Sequence, residues 1–526
     1  MASGYIDARG DGVGDVIETS VAIIGSGAAG LTLARELAEA GRSVALIESG
    51  GFDLEGQTQN LFSGKNLALP YFNLSSCRLR YFGGTTNHWS GFCRANDAID
   101  YEGRPEIGLP KWPITHDEVD PYIRRAADSL QISNEFFDLS HFMQKVGMPT
   151  DTLADSKSQY LETKVFQLAK HIRLGQIYRE PLGQRPNLAI YHHLNAVHVQ
   201  LAGDGKTVTH VDCATLTDKR VQVKAKIFVL CCHGIENARL LLVSNDVINA
   251  GIGNEGDHVG RYFMDHTHIF ASRFIPSPDF PLLYDRRFAE AKNLNINIGF
   301  RDDFLRNERL LQYYCRFNPV YFDEDIGDSL RRVRLGFYEP GDTSFLLDVG
   351  NILRDIHSVL TSEIGTKQSV LPYPLPDYYE MEHRLEQAPN ASSRVVISDR
   401  RDALGSQIAD LHWEILDEDV RSFRVGQEKI ASEFAALGYG RAELEEITPE
   451  LVKSRIAGHY HQIGTTRMSE TPADGVVNRD CRLHNVGNLY IGGSSTFPTA
   501  GYSGPTMMII GFAIRLADQI KSETSS

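Results

Sequence analysis

The alternation of apolar and polar positions changes period sharply near the N-terminus. Thr19-Ser-Val-Ala-Ile-Ile24 is a short apolar run of the kind buried on both faces of a parallel sheet. Gly25-Ser-Gly-Ala-Ala-Gly30 interrupts it. Apolar residues then recur at 31, 33, 34, 37 and 38, a helical period. Gly41-Arg-Ser closes that helix, and residues 44–47 read as a second buried strand ending at Glu48. The pattern predicts a β-α-β unit.

Residues 50–110 read as loops, and 115–132 as an amphipathic helix opened by Thr115. Runs 188–202 and 207–216 alternate like paired strands around the turn Gly203-Asp-Gly205. Another buried strand at 227–230 precedes a helix at 236–243. From 270 to 450 the texture changes: strand-like runs at 293–300, 310–317 and 395–398 stand between charged loops, before a helix at 417–436. Gly-rich turns, a strand at 489–491 and a helix at 505–520 close the sequence. The expected fold is α/β. The N-terminal β-α-β unit is expected to open a Rossmann-type nucleotide domain. Residues 271–454 are expected to form a second, substrate-binding domain of antiparallel sheet plus helices.

Composition narrows the function. The 526 residues allow two or three domains. With 53 basic and 68 acidic residues the net charge is −15, which argues against a nucleic-acid partner. A hydrophobic content of 42% with 23% charged residues is globular. The longest apolar run, 507–514, is broken by Gly511 and falls short of a span of ~20 residues, so no membrane partner is expected. The first 18 residues lack an apolar segment of signal-peptide type. Seven scattered cysteines without a CxxC pair suit a reducing, cytoplasmic setting.

Gly25, Gly27 and Gly30 form a GxGxxG between strand and helix. The first permits the turn, the second lets backbone approach a pyrophosphate, and the third lets the helix close on the sheet. Glu48, 18 residues after Gly30, stands where a carboxylate accepts from a ribose 2′-OH. The motif alone does not separate FAD from NAD. No metal is expected. His266 and His268 alternate on a strand without a third ligand at metal spacing, and adjacent His192 and His193 on a strand would face opposite sides.

Further stretches resemble one family. Arg80-Tyr-Phe-Gly-Gly-Thr-Thr-Asn-His-Trp-Ser-Gly-Phe-Cys93, Gly260-Arg-Tyr-Phe-Met-Asp-His266, the block from His461 (HQIGTTRM) and residues 488–506 are similar to segments of the glucose–methanol–choline (GMC) oxidoreductases. The similarity is nearest to pyranose-oxidase-like, glycoside-oxidising members. The strand-turn-helix at 228–239 also resembles the family, although Cys231, Cys232 and His233 stand where small residues are usual.

The resemblance implies an FAD enzyme whose Rossmann-type FAD-binding domain is assembled discontinuously from 1–270 and 455–526, with a loop and helix insertion at about 92–160. Cofactor contacts would come from Gly25, Gly27, Ala28, Ala29, Gly30, Glu48 and Ser49. The loop Gly83, Gly84, Thr85, Thr86, Asn87, His88, Trp89 and Ser90 would lie against the flavin. Val197, Cys231, Cys232, Gly492, Gly493, Pro505 and Thr506 would complete the set. His88 is a candidate for covalent attachment, with a hydrogen bond to the isoalloxazine ranked ahead of it. His461 matches the family's catalytic base, and His459 would share its side of an extended segment. The second catalytic position, usually Asn or His, is Gly504; Ser503, Tyr502, His459 or a water are the replacements considered.

The implied reaction is oxidation of a secondary alcohol of a sugar, glycoside or polyol to a ketone. Hydride passes to flavin N5, and oxygen or another acceptor reoxidises the flavin. The alternatives are a redox-neutral FAD-containing lyase or isomerase, or a non-standard oxidation imposed by Gly504. The substrate is a small molecule, and self-association is open.

Overall fold

Val21-Ala-Ile-Ile24 and Val44-Ala-Leu-Ile47 are almost fully buried, which places both in the middle of a covered sheet. The computed structural model describes residues 3–320, 349 and 375–524. Its first sheet runs Gly4–Asp7, Leu188–His192, Val44–Ile47, Val16–Ile24, Arg220–Leu230. All these pairings are parallel. Leu489–Ile491 adds in parallel beside Phe228–Leu230, so the C-terminal segment returns to complete the N-terminal sheet. Val208–Ala214 and Asn195–Leu201 extend it antiparallel.

Helices Ala28–Glu39 and Thr506–Glu523 pack together, and His116–Leu130 packs on the latter. Gly511 permits that approach: a Cβ there would lie 2.5 Å from Ile123 Cδ1. Thr115 caps His116–Leu130 in a reciprocal box with Glu118. No helix among the described residues is long and apolar enough to cross a membrane.

The second sheet is antiparallel throughout: Gly440–Glu443, Thr267–Pro276, Tyr378–Leu385, Tyr313–Val320, Leu294–Phe300, Leu161–Leu168, Phe92–Cys93. Its two faces differ. Tyr313, Phe317 and Phe274 lie against helix Asp417–Ala436, with the Phe317 and Phe434 rings stacked at 5.2 Å. A Cβ on Gly426 of that helix would meet Tyr313 at 2.6 Å. The opposite face carries Phe166, Asn295, Tyr314, Arg316 and Arg384, and it walls a cavity.

Three expectations change. Phe92–Cys93 and Leu161–Leu168 lie within 1–270 yet belong to the second sheet, and Thr267–Pro276 crosses the 270 boundary. The chain therefore weaves between the domains rather than passing once. The run 188–202 is two strands in different pairings, because His193 takes φ 58° and leaves the strand. Arg394–Arg401 pairs with Gln407–His412 as a separate two-stranded sheet, with an isolated bridge between Arg394 and Arg261.

Candidate active site

The nucleotide turn is built as its glycines require. Gly25 has φ 100°, and a Cβ there would lie 2.5 Å from Cys231 O. On Gly30 a Cβ would reach 1.8 Å from Gly25 O, whereas on Gly27 it would meet nothing within 4 Å. Gly27 thus faces open space at the N-terminus of Ala28–Glu39, where backbone N–H groups and the helix dipole favour an anion. The Glu48 carboxylate first braces this turn, accepting from Ser26 N at 3.0 Å, Ser26 Oγ at 2.6 Å and Gly50 N at 2.9 Å. Gly30→Ala is therefore expected to lower FAD retention by about tenfold or more, read as flavin content of the purified protein.

A single cavity of about 620 Å³ extends from this turn to His461. Gly25, Gly27, Ala28, Ala29, Glu48 and Ser49 line one end. Gly84, Thr85, Thr86, His88, Trp89 and Ser90 flank it, with Cys231, Cys232, Gly492, Gly493, Gly504, Pro505 and Thr506. Pro505 takes the N-cap of Thr506–Glu523, so a second helix N-terminus opens onto the cavity. Burial pushes the Cys231 thiol well up and that of Cys232 to about 12, so both are neutral packing groups. His88 is exposed at the wall, its backbone N–H bonded to Thr85 O at 3.0 Å.

Several expected contacts are placed elsewhere. Gly30 and Gly83 serve close packing; a Cβ on Gly83 would lie 2.5 Å from Gly175. Asn87 staples the loop, donating to Phe82 O at 2.9 Å and accepting from Gly175 N at 3.2 Å. Val197 sits in a register shift between Ala196 and His198, and its neighbours Leu194 and Ala196 face the cavity instead. Ser503 Oγ donates to Arg94 O at 2.5 Å and lies off the wall. The Tyr502 hydroxyl, on the wall, donates to Asp97 Oδ2 at 2.8 Å.

At the far end a carboxylate pins the loop that carries His459 and His461. Buried Asp265 accepts from the backbone N–H groups of His459 and His461, both at 3.0 Å, and from Tyr71 Oη at 2.6 Å. Burial raises its pKa to about 6. A chain of hydrogen bonds then fixes two tautomers. His266 Nε2 stands 3.1 Å from the Ala500 carbonyl, which can only accept, so Nε2 carries the proton and Nδ1 is bare. His266 Nδ1 lies 2.8 Å from His461 Nδ1, so the latter donates and His461 Nε2 keeps a free lone pair. That nitrogen lies beside Gly504, where a Cβ would stand 3.8 Å from it. Burial lowers the His266 pKa to about 4 and that of His461 well below the usual value, so both rings are neutral at pH 7. Arg384 adds its positive charge to the depression of His461.

The His459 ring is roughly parallel to that of His461 at 5.9 Å, and its Nδ1 donates to His266 O at 2.9 Å. Its Nε2 is consequently an acceptor as well. Ser503 and Tyr502 are spent on other partners, so neither replaces the donor missing at Gly504.

Pattern reading missed two arginine groups. Arg78, Arg80 and Arg239 surround Glu236, holding its pKa near about 2, and all four line the nucleotide end. Arg78 Nε and Nη1 are buried without a protein partner among the described residues, as suits a wall that meets phosphates. Their signal was the pair Arg78-Leu-Arg80 just before the flagged loop. The second group, Arg316 and Arg384, lies on the antiparallel sheet. His192 and His193 also depart from expectation: the positive φ at His193 brings their Nδ1 atoms to 2.9 Å, near Asp7. Asp7 is held by Arg9, which competes with any cation there.

Residues 389–513 match a family model described as GMC oxidoreductase, and residues 20–144 one described as FAD dependent oxidoreductase. The chain is 23% identical to the fructose dehydrogenase large subunit of Gluconobacter japonicus, over 97% of this chain and 99% of that protein. It is also 23% identical to a 2-methyl-1,2-propanediol dehydrogenase of Mycolicibacterium austroafricanum, over 97% of this chain and 96% of that protein.

The chain is an FAD-dependent oxidoreductase similar to the GMC family. FAD is its cofactor, and the open space at Gly27, the Glu48 carboxylate and the two helix N-termini fit it. Its fold is shared with the formate oxidase of Aspergillus oryzae at a TM-score of 0.58 and 16% identity, covering 98% and 100% of the two chains. Pyridoxine 4-oxidase from Mesorbium loti shares it too, at 0.55 and 16%, covering 95% of this chain and 99% of that chain.

Proposed function

We propose that the enzyme oxidises a secondary alcohol of a sugar, glycoside or related polyol to a ketone, with His461 Nε2 accepting the hydroxyl proton. The observation behind this reading is the chain from Ala500 through His266 to His461, which leaves His461 Nε2 bare at the cavity wall beside Gly504. FAD, when bound, supplies the hydride acceptor. The protein's own part is to hold the base neutral, orient it and stabilise developing negative charge. Burial and the Arg384 charge keep His461 unprotonated and ready. The N-terminus of Thr506–Glu523 offers positive potential to negative charge forming beside it. Oxygen or another electron acceptor closes the cycle. Relatives named for fructose and for a diol support a polyhydroxylated alcohol as substrate, and seven free cysteines support a reducing compartment.

The test is anaerobic visible absorbance of the holoenzyme against neutral sugars, glycosides and polyols. Bleaching of the flavin colour is expected. Product formed without bleaching would replace this reading by redox-neutral chemistry. Acid precipitation of the same sample is expected to release the yellow colour, because His88 contacts the flavin without a bond; colour kept in the pellet would show covalent attachment.

Gly504 leaves the substrate oxygen one donor short. A Cβ there would be in ordinary contact with His461, 3.6 Å from Cε1. Gly504→Asn is therefore accommodated and is expected to raise turnover by about tenfold or more, since such donors are worth ~10²–10³. A fall in turnover would show that Gly504 makes room for substrate.

A further inference from the structure

The wall facing the cofactor is a polar sheet face, and its charges do not balance. Arg384 Nε donates to Glu382 Oε1 at 2.6 Å, and its Nη1 lies 3.3 Å from Tyr314 Oη. Arg316 Nε donates to Asn297 Oδ1 at 3.3 Å, while its Nη1 is 3.8 Å from Glu382 Oε2, beyond a hydrogen bond. Among the described residues Glu382 is the one carboxylate within ion-pair distance of either guanidinium. Two cations thus share one anion, and the terminal amino groups of Arg316 have no hydrogen-bond partner among the described residues. Arg316 is only 7% exposed, and it opens onto the cavity that His461 lines.

The neighbouring charges cancel. Arg286 pairs with Glu290 at 2.8 Å, and Lys164 and Arg94 are met by Glu162 and Asp97. A buried cation left without a counterion is costly, and it persists where a ligand supplies the missing charge.

We propose that Arg316 and Arg384 form a carboxylate-binding subsite, so that the natural substrate is an alcohol that is also an acid: a sugar acid or other polyhydroxy acid. The proposal rests on the alcohol-oxidising reading above and specifies its substrate. One uncompensated positive charge matches a monoanion, whereas a phosphate monoester dianion would overshoot it. A planar carboxylate also suits a guanidinium fork.

Register places the subsite. His268 is in register with Arg384, and Arg316 with Glu382 one strand further on. Arg316 therefore lies two strands, roughly 10 Å between backbones, from the strand that carries His266 and His268. Asn295 and Tyr314 line the same wall and suit intervening hydroxyls.

The experiment has two arms on FAD-loaded enzyme. In the first, acetate, which has no hydroxyl to oxidise, is titrated at constant ionic strength while the flavin spectrum is followed, with inorganic phosphate as comparison. Saturable binding of acetate, stronger than that of phosphate, is expected. It should weaken at least tenfold in Arg316→Met and recover partly in Arg316→Lys, with flavin content checking the fold. In the second, kcat/KM is compared for glucuronate against glucose, with Arg316→Met expected to collapse a preference of tenfold or more for the acid. Acetate that fails to bind, binds equally to Arg316→Met, or is beaten by phosphate overturns the proposal. Bleaching by glucose as fast as by glucuronate overturns it while leaving the alcohol-oxidising reading intact. If neither sugar bleaches the flavin but acetate binds through Arg316, that reading fails and the subsite stands.

Discussion

His461→Ala is expected to lower the rate of anaerobic flavin reduction by about 10²–10⁴-fold, the span associated with a positioned general base. Flavin content should be unchanged, because the cofactor end of the cavity is built from other elements. The expectation follows from His461 Nε2 being the nitrogen that the hydrogen-bond chain leaves bare at the wall. His459 does not substitute, since its ring lies 5.9 Å from that of His461 and its Nε2 stands 4.0 Å from Glu382 Oε1. Stopped-flow absorbance measures the effect. Unchanged reduction in a fully flavinylated His461→Ala sample would remove the base assignment.

His266→Leu should lower kcat by about 10²–10³-fold without touching the reacting atoms, because a base in the wrong tautomer is nearly useless. Leucine cannot accept the His461 Nδ1 proton. That buried N–H would then be unpaired, and the proton would move to Nε2, where the lone pair is needed. His266→Gln keeps an acceptor oxygen and should retain more activity than His266→Leu.

The pH profile separates this role from simple packing. Both His266, at about 4, and His461 have pKa values below the usual histidine value, so protonation removes the base only in acid. Wild-type kcat/KM should be level through neutral pH and fall only at pH values below the ordinary histidine range, as the imidazole takes up a proton. The neighbouring His266 is one of the groups that depress His461, so its removal should shift the acid limb of the remaining activity upward. An unshifted limb would mark His266 as a packing residue only. The same signs bear on stability: histidines buried neutral bind protons more readily when unfolded, so acid costs the fold stability below the ordinary histidine pKa.

Local order was legible where local physics governs. A parallel strand buried on both faces needs a continuous apolar run, and a pyrophosphate turn needs glycines at set spacings. Both can be read from residues 19–48 alone. Thr115 and Glu118 announced a helix start by short-range bonds, and the structure has that cap. His461 and Gly504 were found through motif similarity, which carries position but not orientation. His266 was seen as one of two alternating histidines, but nothing local indicated that it faces His461 across 195 residues of sequence.

The sequence by itself therefore determined the Rossmann unit and the family likeness, and it singled out His461 and Gly504, because each is a property of neighbours along the chain. The tertiary structure alone decided which tautomer His461 holds, since His266 and Ala500 reach it from other segments. It alone brought Phe92–Cys93 and Leu161–Leu168 into the second sheet. And it alone set Arg316 and Arg384 around a single carboxylate. Antiparallel pairing converts alternation along separate strands into one shared face, and a charge imbalance exists only once those strands lie side by side.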